Sequence, residues 1–271
     1  MSLEGKVAFI TGAARGQGRA HAVRLAREGV KIVGIDICED IASMDYPNAS
    51  EADLAETVKL VEAQGAAMIA TKADVREYAA VKTAIDQGVE RYGRLDIVIA
   101  NAGIVRLGDE PDDFLTLWND IIGTNLTGVF HTVKACTQHL IDGGNGGSIV
   151  ITSSSAGLKG TGTPKTGGAA YTAAKRGLVG YMQVIANDLA KHMIRVNTIH
   201  PTGVATGMVM NEAMAAMFAS GDPALAAMQN ALPIELLQPE DIANAVAWLV
   251  SDEAKFITGV ALPLDAGFTI R

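Results

Sequence analysis

Short apolar runs alternate along this chain with longer stretches in which apolar residues recur every three or four positions. Val7–Ile10 is the first run, ending at the Thr11-Gly12 turn, and a helical pattern through Ala22, Val23, Leu25 and Ala26 follows it and stops at Gly29. A short continuous apolar run bounded by turn residues reads as a strand buried on both faces, whereas 3–4 spacing reads as a helix with one buried face. The alternation repeats, with strands predicted over Lys31–Ile35, Met68–Ala70, Leu95–Ala100, Ser148–Thr152, Arg195–Ile199 and Val260–Leu264. Helices are predicted over Glu51–Gln64, about 77–92, about 112–139, 171 to about 191, and about 239–250. Ser50 and Asp53 form a capping pattern at the start of the second helix. No linker or composition break divides the chain, so residues 1–271 are read as a single α/β domain.

The first two strands carry a chemical signal. Thr11-Gly12 opens Gly12-Ala13-Ala14-Arg15-Gly16-Gln17-Gly18, and the second strand ends in Asp36. Strand, glycine-rich turn, helix, strand and acid in this order suit a dinucleotide: glycines let backbone approach the pyrophosphate, the helix N-terminus attracts it, and the carboxylate bonds a ribose diol. The spacing is G-x-x-x-G-x-G, and glycines alone would equally mark an ordinary strand–helix turn. The flanking elements and Asp36 favour the nucleotide. A carboxylate there repels a 2′-phosphate and no arginine follows it, which favours NAD over NADP.

Further signals lie at strand exits. Residues 37–50 form a long, acidic connection containing Pro47, read either as a surface loop or as a flap over the adenine side of the groove. The fourth strand ends in Asn101-Ala102-Gly103, and Asn125 stands between Gly123 and Gly128 inside a predicted helix, breaking helix propensity as functional sites and kinks do. The fifth strand delivers Ser153, Ser154 and Ser155 at its carboxyl end, the crevice side of open α/β sheets. A glycine-rich connection over 158–170 then reaches Tyr171, with Lys175 four residues on. That spacing places an ammonium one turn from a phenol and would lower the tyrosine pKa. The plainer reading is a half-buried core tyrosine beside a solvated lysine. Residues 204–229, with Met208, Met210, Met214, Met217 and Met228 among Gly203, Gly207, Gly221 and Pro223, read as a lid over an apolar substrate or as core packing.

Composition narrows the classes. A net charge of -8 argues against nucleic acid and anionic membranes as partners. Cys38 and Cys136 stand in no pairing motif, as expected in a reducing cytoplasm, and the N-terminus carries no signal-peptide pattern. No stretch approaches 18 apolar residues, and five scattered histidines suggest no metal site.

Taken in order, TGAARGQG (11–18), Asp36, Asp74-Val75, Asn101-Ala102-Gly103, Asn125, the serine strand, Tyr171-Thr172-Ala173-Ala174-Lys175, Pro201-Thr202-Gly203 and Thr206 resemble the short-chain dehydrogenase/reductase family from about Gly5 onward. The resemblance implies a three-layer, doubly wound Rossmann-type fold, a parallel seven-stranded sheet with helices on both faces, assembled as a homotetramer. It implies NAD held by Gly12, Arg15, Gly16 and Gln17 at the phosphates and Asp36 at the ribose, with Asp74 and Val75 at the adenine. Asn101 would lie near the second ribose, and Val204 and Thr206 at the carboxamide. Gly18, Ile37, Ala102, Gly103, Pro201 and Gly203 complete the expected cofactor set, which Tyr171 and Lys175 share. In the family a serine precedes a glycine by three residues; Gly157 marks Ser154 as that serine, with Ser153 the alternative.

A narrower likeness is to carveol-dehydrogenase-like, mycofactocin-associated members, through GKVAFITGAARGQGRAHAVRLA, the DIC sequence after the second strand and the inserted loop. It implies tightly held NAD re-oxidised by an external redox carrier. The expected chemistry is oxidation of a hydrophobic secondary alcohol to a ketone: Tyr171 as general base, Ser154 on the substrate oxygen, Lys175 tuning Tyr171, and Asn125 holding a water in a proton relay. Rival readings are an NAD(P)H-dependent ketone or 3-oxoacyl reductase and a non-catalytic NAD sensor. Three departures from the family pattern stand out: the long spacing from Ser154 to Tyr171, His200 before Pro201, and Asp265-Ala266-Gly267 near the C-terminus.

Overall fold

The computed structural model describes residues 3–160, 164–221 and 228–271. Seven parallel strands form one sheet: β1 (Val7–Thr11), β2 (Lys31–Asp36), β3 (Met68–Lys72), β4 (Ile97–Ala100), β5 (Gly147–Thr152), β6 (Ile194–Pro201) and β7 (Ala261–Leu264), in the order β3-β2-β1-β4-β5-β6-β7. The expected doubly wound α/β architecture is therefore present, with its topological switch between β1 and β4.

Both faces of the sheet are buried, which explains why its strands read as unbroken apolar runs. Side chains alternate across each strand. Ala8, Ile10, Ile32, Ile97, Ile99 and Val150 pack on one face, under α1 (Gly16–Ala26), α2 (Glu51–Glu62) and the C-terminal helix Pro239–Val250. Val7, Phe9, Val33, Ile35, Val98, Ile149 and Ile151 pack on the other, under α3 (Tyr78–Tyr92), α5 (Gly128–Gly143) and α6 (Thr166–Leu189). Each fully buried Ile or Phe here contributes on the order of 1.5–3 kcal/mol. The predicted cap of α2 is present: Ser50 Oγ accepts from the Asp53 N–H, while the Asp53 carboxylate accepts from the Ser50 N–H.

Three expectations are revised. The helix expected over 112–139 is two helices, α4 (Phe114–Ile122, capped by Asp113) and α5, joined by a π-helical turn at Gly123–Thr127. A Cβ on Gly128 would lie 2.6 Å from Val75, so glycine lets this turn lie against the loop after β3. The helix bearing Tyr171 begins at Thr166, which puts Tyr171 in its second turn and shortens the preceding connection. The segment 204–229 contains a helix, α7 (Glu212–Ala219), and residues 222–227 of the expected lid lie outside the described residues. Among the described residues no helix is long and apolar enough to cross a membrane.

Where α3 crosses β2, a Cβ on Gly88 would come within 2.6 Å of Val33. Gly88→Ala is expected to destabilise the fold by about 1–3 kcal/mol through overpacking, measured by urea denaturation; unchanged stability would show that α3 can withdraw from the sheet at no cost.

Candidate active site

All strand carboxyl ends open onto one edge, and two cavities meet there. The smaller, about 140 Å³, lies over the glycine-rich turn between β1 and α1. Gly12 and Gly16 have φ of +68° and +55°, a left-handed conformation that favours glycine. A Cβ on Gly18 would fall 1.9 Å from the Gly12 carbonyl, so this third glycine permits α1 to start hard against β1. The Asn101 and Ala102 N–H groups donate to Thr11 Oγ1, and Asn101 Nδ2 donates to the Thr11 carbonyl, tying the β4 exit to the same turn. Asp36 accepts from the Ala14 N–H at 2.9 Å and the Cys38 N–H at 3.3 Å. Burial pushes its carboxyl above the ordinary value, while these two donors pull it back.

Of the residues expected to hold the cofactor, Gly12, Arg15, Gly16, Gln17, Asp36, Ile37, Asp74, Val75, Asn101, Ala102 and Gly103 line this groove, and Gly18 does not. The polar inventory fits a nucleotide. Gln17 Oε1 and Thr124 Oγ1 are buried on its wall without a hydrogen-bond partner among the described residues, and buried polar atoms are rarely left so. Thr124 was not foreseen; its place beside Asn125 in the π-helical turn was its only signal. Two expected contacts differ in detail. Arg15, expected at the phosphates, donates from Nη2 to the Pro47 carbonyl at 2.7 Å. Asp74, expected at the adenine, pairs with Arg76, which reaches on to Asp120.

Ile37, Ile41, Tyr46, Asn48 and Ala49 of the 37–50 connection line this groove. Ile41, Met44 and Tyr46 are buried against Ile104, Leu117 and Ile121. Ser43 Oγ donates to Asp120 at 2.6 Å, Arg106 donates to the Ser43 carbonyl, and the Val105 N–H donates to Tyr46 Oη.

The larger cavity, about 1100 Å³, shares Gln17, Asn101, Gly103, Thr206 and Met208 with the groove, so the two are continuous. Ser154, Tyr171 and Lys175 line it where they meet, as do Pro201, Gly203 and Val204. Met208, Met210, Met214, Phe218 and Met228 form an apolar wall, consistent with the lid reading, whereas Met217 does not line the cavity. The two serines both line the cavity and differ in their partners: Ser153 Oγ donates to the Lys175 carbonyl at 2.8 Å, whereas Ser154 hydrogen-bonds Tyr171. A Cβ on Gly157 would strike Ser153 Oγ at 2.6 Å and the Lys175 carbonyl at 2.8 Å, so glycine brings the serine turn onto α6.

Lys175 Nζ sits 5.6 Å from the Tyr171 ring centroid and donates to the Thr152 carbonyl at 2.7 Å. The expected lowering of the Tyr171 pKa is not what the protein alone produces. Burial raises the phenol, with only the Ser154 hydrogen bond pulling down, and burial also pushes Lys175 down to about 7. Buried, with the Thr152 carbonyl as its one hydrogen-bond partner among the described residues, the ammonium is poorly solvated, which lowers its pKa. Asn125 is likewise committed: its Oδ1 accepts from the Ile104 N–H, and its Nδ2 donates to the Ile104 and Ile121 carbonyls. It clamps the β4–α4 loop, and its Oδ1 and Lys175 Nζ both approach Gly103.

The pattern that defines short chain dehydrogenases matches residues 6–216. The chain is 54% identical to an uncharacterised oxidoreductase of Mycobacterium tuberculosis, covering 98% of this chain and 97% of that one. It is 44% identical to (-)-trans-carveol dehydrogenase of Rhodococcus erythropolis, over 99% of each. Its fold is similar to the crystal structure of carveol dehydrogenase from Mycobacterium avium in complex with NAD, at a TM-score of 0.91, 46% identity and 99% coverage of both chains.

The depressed Lys175 pKa has a thermodynamic signature. Between pH 7 and 10.5 the unfolded chain holds a proton on this lysine that the folded chain has lost, so stability rises with pH across that window. Lys175→Met is expected to lack this rise, the two slopes differing by at most about 1.4 kcal/mol per pH unit in urea titrations at pH 7, 8 and 9. Parallel slopes would show that Lys175 keeps its ordinary pKa.

Proposed function

The chain belongs to the short-chain dehydrogenase family, and within it we propose an NAD-dependent oxidoreductase that oxidises a hydrophobic secondary alcohol, of carveol-like terpenoid type, to a ketone. The observation that carries this reading is the placement of Ser154, Tyr171 and Lys175 where a large apolar cavity opens into a groove suited to a dinucleotide. A cavity of about 1100 Å³ walled by methionines suits a bulky apolar molecule better than a small polar one.

NAD, when bound, supplies the hydride acceptor. Gly12, Gly16 and Gln17 would hold its phosphates, Asp36 a ribose, Asp74 and Val75 the adenine, and Val204 and Thr206 the carboxamide. Tyr171 Oη takes the hydroxyl proton as general base, and Ser154 Oγ fixes the substrate oxygen beside it. Lys175 holds or passes a proton at Nζ behind the tyrosine, with Asn125 shaping the loop through which a relay to solvent would run. The opposite direction, ketone reduction, has one specific observation in its favour: burial raises the Tyr171 phenol, which favours its protonated, donating form.

The pinned loop 37–50 supports slow cofactor exchange, and hence re-oxidation of bound NAD by an external redox carrier such as one of the mycofactocin type. A homotetramer is supported by apolar side chains exposed on the outer helices, with Leu115 of α4 at 63% exposure and Val184 of α6 at 72%. The two buried free cysteines suit a reducing cytoplasm.

Tyr171→Phe is expected to bind NAD normally and lose about 10²–10⁴-fold in turnover, read by titration and by steady-state assay on an alcohol panel. Near-full activity would remove Tyr171 as the base. Purified protein is expected to carry NAD, seen by mass spectrometry after denaturation, and to turn over faster with a dye acceptor than with free NAD. Rapid exchange of labelled NAD would sink the retained-cofactor reading. Sedimentation should give four times the chain mass, and a monomer would refute the assembly.

A further inference from the structure

His200 is fully buried at the end of β6, outside the cavity lining, and neither the groove nor the proton path uses it. Its ring nevertheless touches the catalytic strand. Nδ1 lies 2.7 Å from the Ser154 carbonyl oxygen, and Nε2 lies 2.8 Å from Thr198 Oγ1. A carbonyl only accepts, so Nδ1 must carry the proton; Nε2 of the neutral ring is then an acceptor and takes the Thr198 hydroxyl proton. Burial lowers the His200 pKa, in keeping with a neutral ring of one fixed tautomer.

The register makes this a directed device. Thr198 and His200 lie two apart on β6 and so project to the same face. Main-chain pairing between the strands closes with the Ser153 N–H on the Ile199 carbonyl. The Ser154 carbonyl lies beyond this ladder and accepts from both the Gly157 N–H at 2.8 Å and the imidazole Nδ1. The Ser154 backbone is extended at φ -167° and ψ 161°, and its Oγ also accepts from the Ala156 N–H at 3.2 Å. The carbonyl of the residue is held by β6 and by the turn that follows, and its Oγ by that turn.

We propose that His200 is a positioning residue: with Thr198 behind it, it fixes the Ser154 peptide so that Oγ faces Tyr171 and the substrate oxygen. The proposal rests on the dehydrogenase reading and extends it to a residue that touches neither substrate nor cofactor. A small misplacement of a group at the reacting centre can cost about 10²-fold in rate, so a fault here shows in kcat more than in KM.

The test compares His200→Asn, His200→Gln and His200→Leu with wild type, measuring kcat, KM, NAD affinity and thermal midpoint. An Asn amide nitrogen can occupy the place of Nδ1 and donate to Ser154, whereas a Gln amide nitrogen reaches towards the place of Nε2. Expected is a kcat for His200→Asn within about threefold of wild type and losses of about tenfold to 10²-fold for His200→Gln and His200→Leu, with KM and NAD affinity little changed. Equal impairment of the Asn and Gln variants, both folded and binding NAD, would overturn the proposal, as would wild-type kcat in His200→Gln. Nitrogen-15 NMR of histidine-labelled wild type supplies a readout independent of turnover: a proton on Nδ1 is expected, and a proton on Nε2 alone would refute the assignment. Wild-type protein that shows the Nδ1 proton but no turnover on any alcohol or ketone would count against the dehydrogenase reading and leave the His200 contact standing.

Discussion

The constraint from which the rest of this molecule follows is that all seven strands run the same way. Parallel strands need crossovers, and the crossovers here cover both faces of the sheet with helices. Every strand then exits on one edge, and at the switch between β1 and β4 the two neighbouring connections lead away from each other and leave a crevice. Thr11, Asp36, Ala100 and Thr152 end their strands at this edge, and the chemistry-bearing residues follow each of them within a few positions.

Close backbone approach converts that crevice into a site. Gly12, Gly18, Gly128 and Gly157 each stand where a Cβ would collide with backbone or with a packed side chain. They bring, respectively, the β4 exit, helix α1, the π-helical turn and the serine turn into contact with their neighbours. The polar groups drawn inside find partners within the protein: Asp36 in two backbone N–H groups, Asn125 in the Ile104 peptide and the Ile121 carbonyl, and Lys175, less completely, in the Thr152 carbonyl. Burial lowers the Lys175 pKa to about 7, so the field around Tyr171 in the protein alone differs from that of a solvated ion pair.

The inserted loop 37–50 shows how a surface segment becomes part of a binding site. Its Ile41, Met44 and Tyr46 share a small apolar cluster with α4, and polar contacts to Arg15, Asp120 and Arg106 hold its length in place. A connection of this size pinned at several points lines the nucleotide groove without belonging to the sheet.

The seven strands, the glycine-rich turn, Asp36 and the ordered candidate site residues were all legible in the linear sequence, because buried parallel strands leave continuous apolar runs and because each turn requires particular residue types at short range. The anomaly at Asn125 was legible too, as an asparagine between glycines in a helical stretch, though its form, a π-helical turn, was not. What tertiary structure alone decided depends on distant segments meeting. Ser153 is occupied because the Lys175 carbonyl lies above it, leaving Ser154 to hydrogen-bond Tyr171. Arg15 turns to Pro47, burial lowers the Lys175 pKa to about 7, and His200 reaches from β6 to the Ser154 carbonyl. Local sequence carries backbone preference and apolar period, but desolvation and the partners of a buried polar group are set by the segments folded around it.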